Sequence, residues 1–234
     1  MRRTKIVCTI GPATESIEAI RALVEAGMNV ARLNVSHGTL REHALRIQRL
    51  RAVEEEVGHP LAIMLDVQGP KIRTGPLAAP EGVELHPGQD FTLTAEPISG
   101  TSRRVSVDYP KLPEIIRPGN TIYLDDGSIE LQVQEIRDKD VRCRVVVGGI
   151  LGPRKGVTLL GVVPDLPTLT QQDYHHIRFG VEQGVDFIAA SFVRRAEDVR
   201  EVRRAITEAG GRIPVIAKIE TQMTRQELEA VIQE

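Results

Sequence analysis

Apolar residues in this chain follow a strand period and a helical period by turns. TKIVCTI (4–10) and NVARLNV (29–35) read as strands, and LAIMLDV (61–67) is apolar almost without interruption, as a parallel strand covered on both faces should be. Between the first two, Thr14 is placed to cap a helix that sets Ile17, Ile20, Leu23 and Val24 on one face and stops at Gly27. Residues 39–57 give a longer helix, with Leu40, Ala44, Ile47, Leu50 and Val53 in register and Gly58 as its stop. From about 70 to 167 the helical period is lost. Short alternating runs such as FTLTA, RRVSVDY, TIYL, SIELQVQEI and VRCRVVVGG are separated by the turn signals HPGQD, RPGN and DDGS. The first rhythm then returns, with a helix at 171–183, a strand DFIAASFV (186–193), a helix at 196–209 and a strand PVIAKIE opened by Pro214. Thr224 and Glu227 form a capping box that opens a last helix.

This pattern predicts an α/β chain of five βα units over 1–69 and 168–234, interrupted after the third strand by an inserted all-β domain over 70–167. The entry QGPKIRTGPLAAPEG and the exit VVPDLPTLT are rich in Pro and Gly, as domain junctions often are. A chain of 234 residues can bury a sizeable core. Lys+Arg 30 against Asp+Glu 32 gives a net charge of −2, and so no electrostatic reason to expect nucleic acid or an anionic membrane as partner. Aromatic residues at 3%, with no Trp, argue against a base-stacking platform. Cys8 and Cys143 stand far apart in apolar or alternating runs, as small buried side chains do, rather than as a disulfide or metal site. The apolar run in MRRTKIVCTIGPA is too short for a signal peptide and no stretch approaches a membrane-spanning length, so a cytoplasmic protein is expected.

The last strand poses a chemical question. Lys218 and Glu220 sit two apart at its end, which on a strand places both on one face. They are either a plain ion pair or part of a site at the C-terminal mouth of a parallel sheet. The other strand ends supply Arg32, Asn34, Ser36 and His37, then Asp66, then Ser191 and Arg194. Singly each has a plain reading as a cap, a turn residue or a solvated charge. Jointly, the cations Arg32, Arg73 and Lys218 beside two carboxylates suit a phosphorylated substrate with a divalent metal.

The blocks TKIVCTIGPAT, GMNVARLNVSHG, LDVQGPKIRTG, DDG, ASFVR and IAKIE resemble those of pyruvate kinase, in the same order and over most of residues 3–221. The resemblance implies phosphoryl transfer between phosphoenolpyruvate and ADP, giving pyruvate and ATP. It also implies a TIM β/α barrel, here a partial one, with an inserted all-β lid after strand three. By the same resemblance Lys218 and Arg32 look like catalytic residues. Arg32, Arg73, His37 and Ser191 look like phosphate- or nucleotide-binding residues, and Glu220 like a ligand of Mg2+ or Mn2+. Asn34, Ser36, Asp66 and the carbonyl of Val67 look like the family's monovalent-cation site. Full-length members are typically homotetramers.

Two departures from the family pattern matter. Potassium-dependent members carry Thr-Lys after the Asp and Glu at the position of Lys71. Val67, Gln68 and Lys71 resemble the potassium-independent subgroup, in which the ammonium replaces K+. Lys71 can equally be a solvated lysine at a domain junction, and Thr74 fits the potassium-dependent pattern. The second departure is that the block with the second metal-binding Asp, the later strands and the effector-binding domain are not found in these residues. The expectation is therefore that this chain alone is inactive or very weak. Two other readings stand beside the catalytic one: a non-catalytic fragment or assembly module that needs a partner, and another phosphate-binding barrel. The position and size of the β insertion disfavour the last.

Overall fold

A computed structural model describes residues 3–221 and 223–234; Met1 and Arg2 of the basic start, and Gln222 just past the fifth strand, lie outside the described residues. The chain opens with β1 (Ile6–Thr9), α1 (Ile17–Glu25), β2 (Met28–Asn34), α2 (Leu40–Val57) and β3 (Ala62–Val67). The cap of α1 is Ser16, whose side chain accepts the Ala19 N–H, and not Thr14. The Thr14 hydroxyl instead accepts the Gly11 N–H at 3.1 Å and so closes the turn before the helix. Thr39 and Glu42 form a capping box on α2, which ends at Gly58 in the left-handed conformation (φ 65°) that glycine adopts without steric cost.

The middle of the chain carries β4 (Val83–Leu85), β5 (Asp90–Thr94), β6 (Arg104–Ser106), α3 (Leu112–Ile115), β7 (Thr121–Leu124), β8 (Ile129–Arg137), β9 (Asp140–Val147), β10 (Gly149–Leu151) and β11 (Val157–Leu159). The expectation of no helix in this region fails at α3, a single turn too short to show a period. The rest comprises α4 (Gln171–Glu182), β12 (Phe187–Ala190), α5 (Ala196–Glu208), β13 (Val215–Ala217) and α6 (Arg225–Gln233). Thr224 and Glu227 cap α6 as a capping box.

The chain divides into two compact units, Met1–Pro70 with Pro167–Glu234, and Lys71–Leu166. The first holds an all-parallel sheet in the order β1-β2-β3-β12-β13. Its core lies between the sheet and the helices and includes Leu33, Leu50, Ile63, Leu65, Ile177 and Ile188, all buried. These strand residues occupy one parity of the period-two alternation. The other parity places Arg32, Asn34 and Asp66 on the opposite face, with Asn34 directly beside Asp66 in register. The second unit has its own core, including Phe91, Leu93, Leu131 and Val141, between a six-stranded sheet (β11-β7-β8-β9-β5-β6) and the β4–β10 pair. Cys143 lies in that core, and burial pushes its thiol up to about 12, which makes it unreactive; Cys8 is half-buried and likewise free. No helix among the described residues is long and apolar enough to cross a membrane.

Candidate active site

The strand ends of the parallel sheet converge on one carboxylate. Asp66, the fifth residue of β3, is 2% exposed. Its Oδ2 accepts from Arg32 Nε at 2.7 Å and Nη2 at 2.6 Å, and Lys218 Nζ lies 2.9 Å from Oδ1 and 3.2 Å from Oδ2. The Ser191 hydroxyl lies 2.7 Å from the Val67 carbonyl and 3.3 Å from Asp66 Oδ1, and it accepts from Lys218 Nζ at 2.8 Å. Removing an isolated carboxylate from water costs several kcal/mol, roughly, so a buried aspartate needs such partners. Here one negative charge holds two cations, whose heads stay partly open to solvent.

Thr9 pairs with Arg32 across β1 and β2, and its hydroxyl accepts from Arg32 Nη1 at 2.9 Å. The guanidinium is thus fixed from two sides, by a residue that sequence reading passed over although it ends its strand as the others do. Glu220 is exposed at the same rim, with Oε1 3.3 Å from Lys218 Nζ. Its Oε2 accepts the Phe192 N–H at 3.2 Å. Phe192 has φ 56°, a left-handed conformation uncommon for a bulky residue, and β12 stops short of it at Ala190 rather than running to 193. β13 also stops early, at Ala217, but the Lys218 N–H still donates to the Ala190 carbonyl at 3.0 Å and the Lys218 carbonyl accepts the Val193 N–H at 3.3 Å, so the backbone at Lys218 stays tied to β12 while Glu220 lies beyond the strand. The ion-pair reading of these two residues is geometrically real, but Lys218 makes its shortest contacts to Ser191 and Asp66.

Asn34 Oδ1 accepts the Ser36 N–H at 3.0 Å, a local turn at the end of β2. His37 is exposed, and its carbonyl accepts from Nε2 of the buried His43 at 2.8 Å. Arg194, at the mouth of β12, turns away to the buried Asp198 of α5: its N–H and Nε lie 2.9 Å and 3.3 Å from Asp198 Oδ2. Burial pushes the Asp198 carboxyl up. The Arg194 N–H, the Thr168 hydroxyl at 2.8 Å and the Arg194 charge outweigh that and hold it below the usual range. Among the described residues no group of three or more His, Cys, Asp or Glu is placed to hold a metal ion.

Lys71 and Arg73 belong to the β unit, where they form a second basic cluster. Lys71 is not a solvated lysine: its Nζ lies 2.6 Å from Asp126 Oδ1, and that bond and charge hold the Asp126 carboxyl below its ordinary value. Gly156 faces Lys71, and a side chain there would displace the end of the lysine from its present position. Arg73 bridges to Gly156, its N–H donates to Asp108 at 2.7 Å, and its Nη1 reaches the Arg154 carbonyl at 3.3 Å. Lys155 lies in the same ladder, 3.0 Å from Asp125 Oδ1. Its only signal in the sequence is the basic turn GPRKG.

A family model described as pyruvate kinase, barrel domain, matches residues 1–234. A Staphylococcus aureus (strain MRSA252) protein named pyruvate kinase is 46% identical over 236 aligned residues, which cover 100% of this chain and 40% of that relative. Its counterpart in strain USA300 is 48% identical over 225 residues, covering 95% of this chain and 38% of that relative. The chain thus spans about two fifths of the length of the curated relatives it matches. The ordered sequence blocks, the parallel sheet with its strand-end cluster and these matches agree: the chain belongs to the pyruvate kinase family.

Proposed function

We propose that this chain supplies the phosphoenolpyruvate side of a pyruvate kinase active site, where a phosphoryl group passes from phosphoenolpyruvate to ADP and leaves pyruvate and ATP. The observation that carries this reading is the buried Asp66 holding Arg32 and Lys218 together at the strand ends. In the transfer, the P–O bond of phosphoenolpyruvate breaks as a bond to the terminal oxygen of ADP forms. The enolate left behind then takes a proton to give pyruvate. Lys218, as a catalytic residue, places its ammonium against the negative charge on the enolate and the moving phosphoryl group. Arg32 presents a rigid fork to phosphate oxygens, pre-oriented by Asp66 and Thr9. Ser191 accepts from the Lys218 ammonium and binds phosphate beside it.

Glu220 would hold Mg2+ or Mn2+, which when bound supplies positive charge to the phosphate oxygens. A single carboxylate suits Mg2+, since that ion keeps water and substrate oxygens among its ligands. In the β unit Arg73 serves the nucleotide phosphates, and Lys155 joins it by position; His37 serves the nucleotide from the barrel unit. Lys71 replaces the K+ that Asn34, Ser36, Asp66 and the Val67 carbonyl would otherwise hold. The β unit acts as the lid, and the whole protein works in the cytoplasm as a homotetramer. Coupled detection of pyruvate from phosphoenolpyruvate, ADP and Mg2+ tests the reading on the full translation product of the reading frame. Absence of turnover there would leave a non-catalytic module of the family as the better description.

A further inference from the structure

The three capping boxes of the barrel unit are not alike. In α2 and α6 the third helical residue is Glu (Glu42, Glu227), exposed and hydrogen-bonded within its own box to Thr39 or Thr224. In α4 it is Asp173, one methylene shorter and 1% exposed. Its Oδ2 accepts from the Thr170 N–H at 2.8 Å and the Thr170 hydroxyl at 2.6 Å, which completes the box. Its Oδ1 does something the other two boxes lack: it accepts the N–H of Gly69, 104 positions away in sequence, at 3.1 Å.

Gly69 lies two residues past the Val67 carbonyl that takes the Ser191 hydroxyl. Its φ of 66° is strained for any residue with a side chain, and a Cβ there would sit 3.0 Å from the Ser191 carbonyl oxygen, a tight contact. The segment after β3 is therefore held between Asp173 on one side and Ser191 on the other, and Ser191 in turn holds the Lys218 ammonium. A capping box alone does not require burial of a carboxylate, as α2 and α6 demonstrate. We infer that Asp173 is a positioning residue for the proposed reaction: through Gly69 it fixes the Val67–Gly69 backbone, and through that backbone the Ser191–Lys218 pair. The inference rests on the proposed function only for its kinetic readout.

The test uses three variants of the full translation product. Thr170→Ala weakens the cap and leaves Gly69 bound, so it lowers Tm by a few degrees and keeps kcat within about twofold. Asp173→Ala removes both acceptors. Asp173→Glu restores the kind of box used by α2 and α6 but carries its carboxylate past Gly69, and it keeps the fold testable should the Ala variant not fold. Both Asp173 variants are expected to lose about tenfold or more in kcat, the scale of losing an outer partner of a functional group, with KM for phosphoenolpyruvate changed less than about threefold. Parallel losses of Tm and kcat in the Thr170 and Asp173 variants would reduce Asp173 to a cap and overturn the inference. If the unaltered protein makes no pyruvate, the proposed function fails instead, and hydrogen exchange at the Gly69 amide then decides. That amide should exchange slowly in the unaltered protein and in Thr170→Ala, and faster in both Asp173 variants. Equal rates in all four proteins would overturn the inference.

Discussion

Replacing Lys218 with Met removes one ammonium and keeps most of the side-chain length. Two effects compete, and the structure says which dominates. Asp66 loses one cation but keeps Arg32 at 2.6 and 2.7 Å and the Ser191 hydroxyl at 3.3 Å, so no unpaired buried charge remains. The penalty of about 3–5 kcal/mol for stranding a buried charge does not apply. The folding cost is that of a lost charged hydrogen bond, about 1.5–3 kcal/mol at most. In the transition state the missing charge has no substitute. An ammonium ~4 Å from developing negative charge contributes about 4 kcal/mol at an effective dielectric constant near 20. Loss of one preorganised donor typically costs about 2.7–4 kcal/mol, or 10²–10³ in kcat. Lys218→Met should therefore melt only slightly early yet turn over at least about a hundredfold more slowly, with a smaller change in KM. Coupled pyruvate formation at saturating substrates, run beside a thermal melt, measures both. Near-normal kcat would refute the reasoning, and so would a loss of rate accounted for by unfolded protein.

If Lys71 replaces K+, the full translation product should work in potassium-free buffer and Lys71→Glu should create a potassium requirement; strong activation of the unaltered protein by K+ contradicts this. Burial lowers the affinity of His43 and His176 for protons, with the Arg46 charge also against His43 and the His37 carbonyl in its favour; Asp173 favours the charged form of His176 while His43 and His175 oppose it. Both histidines are thus neutral in the fold at pH values where the unfolded chain already binds protons. Stability contributed above the unfolded value near 6.5 is lost as pH falls towards their lowered folded values, by up to about 1.4 kcal/mol per pH unit for each group. Urea midpoints between pH 7 and 5 should fall, less so in His176→Phe, and a flat profile speaks against the idea. A polypeptide restricted to residues 1–234 leaves β1 and β13 as open sheet edges with Val7 and Ile216 exposed, so it should self-associate, whereas Lys71–Leu166 alone, with its own core, should be monodisperse. Size-exclusion chromatography of the two separates these outcomes, and a monodisperse 1–234 with ordinary turnover would sink the first.

Hydrophobic rhythm reaches a long way into this molecule because parallel strands in register turn sequence parity into a shared face. Arg32, Asn34 and Asp66 are recognisable as neighbours once the strands are placed, since each occupies the parity opposite to the buried Leu33, Leu65 and Val67. Parity says which side chains meet and not which partner each one takes. A reader of the sequence groups Arg32, Arg73 and Lys218 as three phosphate binders on one rim. In the structure, two of them share a single buried carboxylate and the third belongs to the β unit, beside Asp108 and Arg154. Parity also fails where a strand ends early. Phe192 reads as one more apolar residue of DFIAASFV, and its left-handed backbone, which turns an N–H onto Glu220, leaves no trace in composition or spacing. Asp173 shows the same gap from the opposite direction. TQQD and TLRE are both readable as capping boxes, and nothing local reveals that the shorter carboxylate is buried and reaches Gly69 while the longer one faces water. What local sequence hides in each case is a contact to a distant backbone N–H. The Phe192 N–H fixes one oxygen of Glu220 in this way, whereas Lys218 takes its direction from the strand backbone and from the Asp66 and Ser191 side chains.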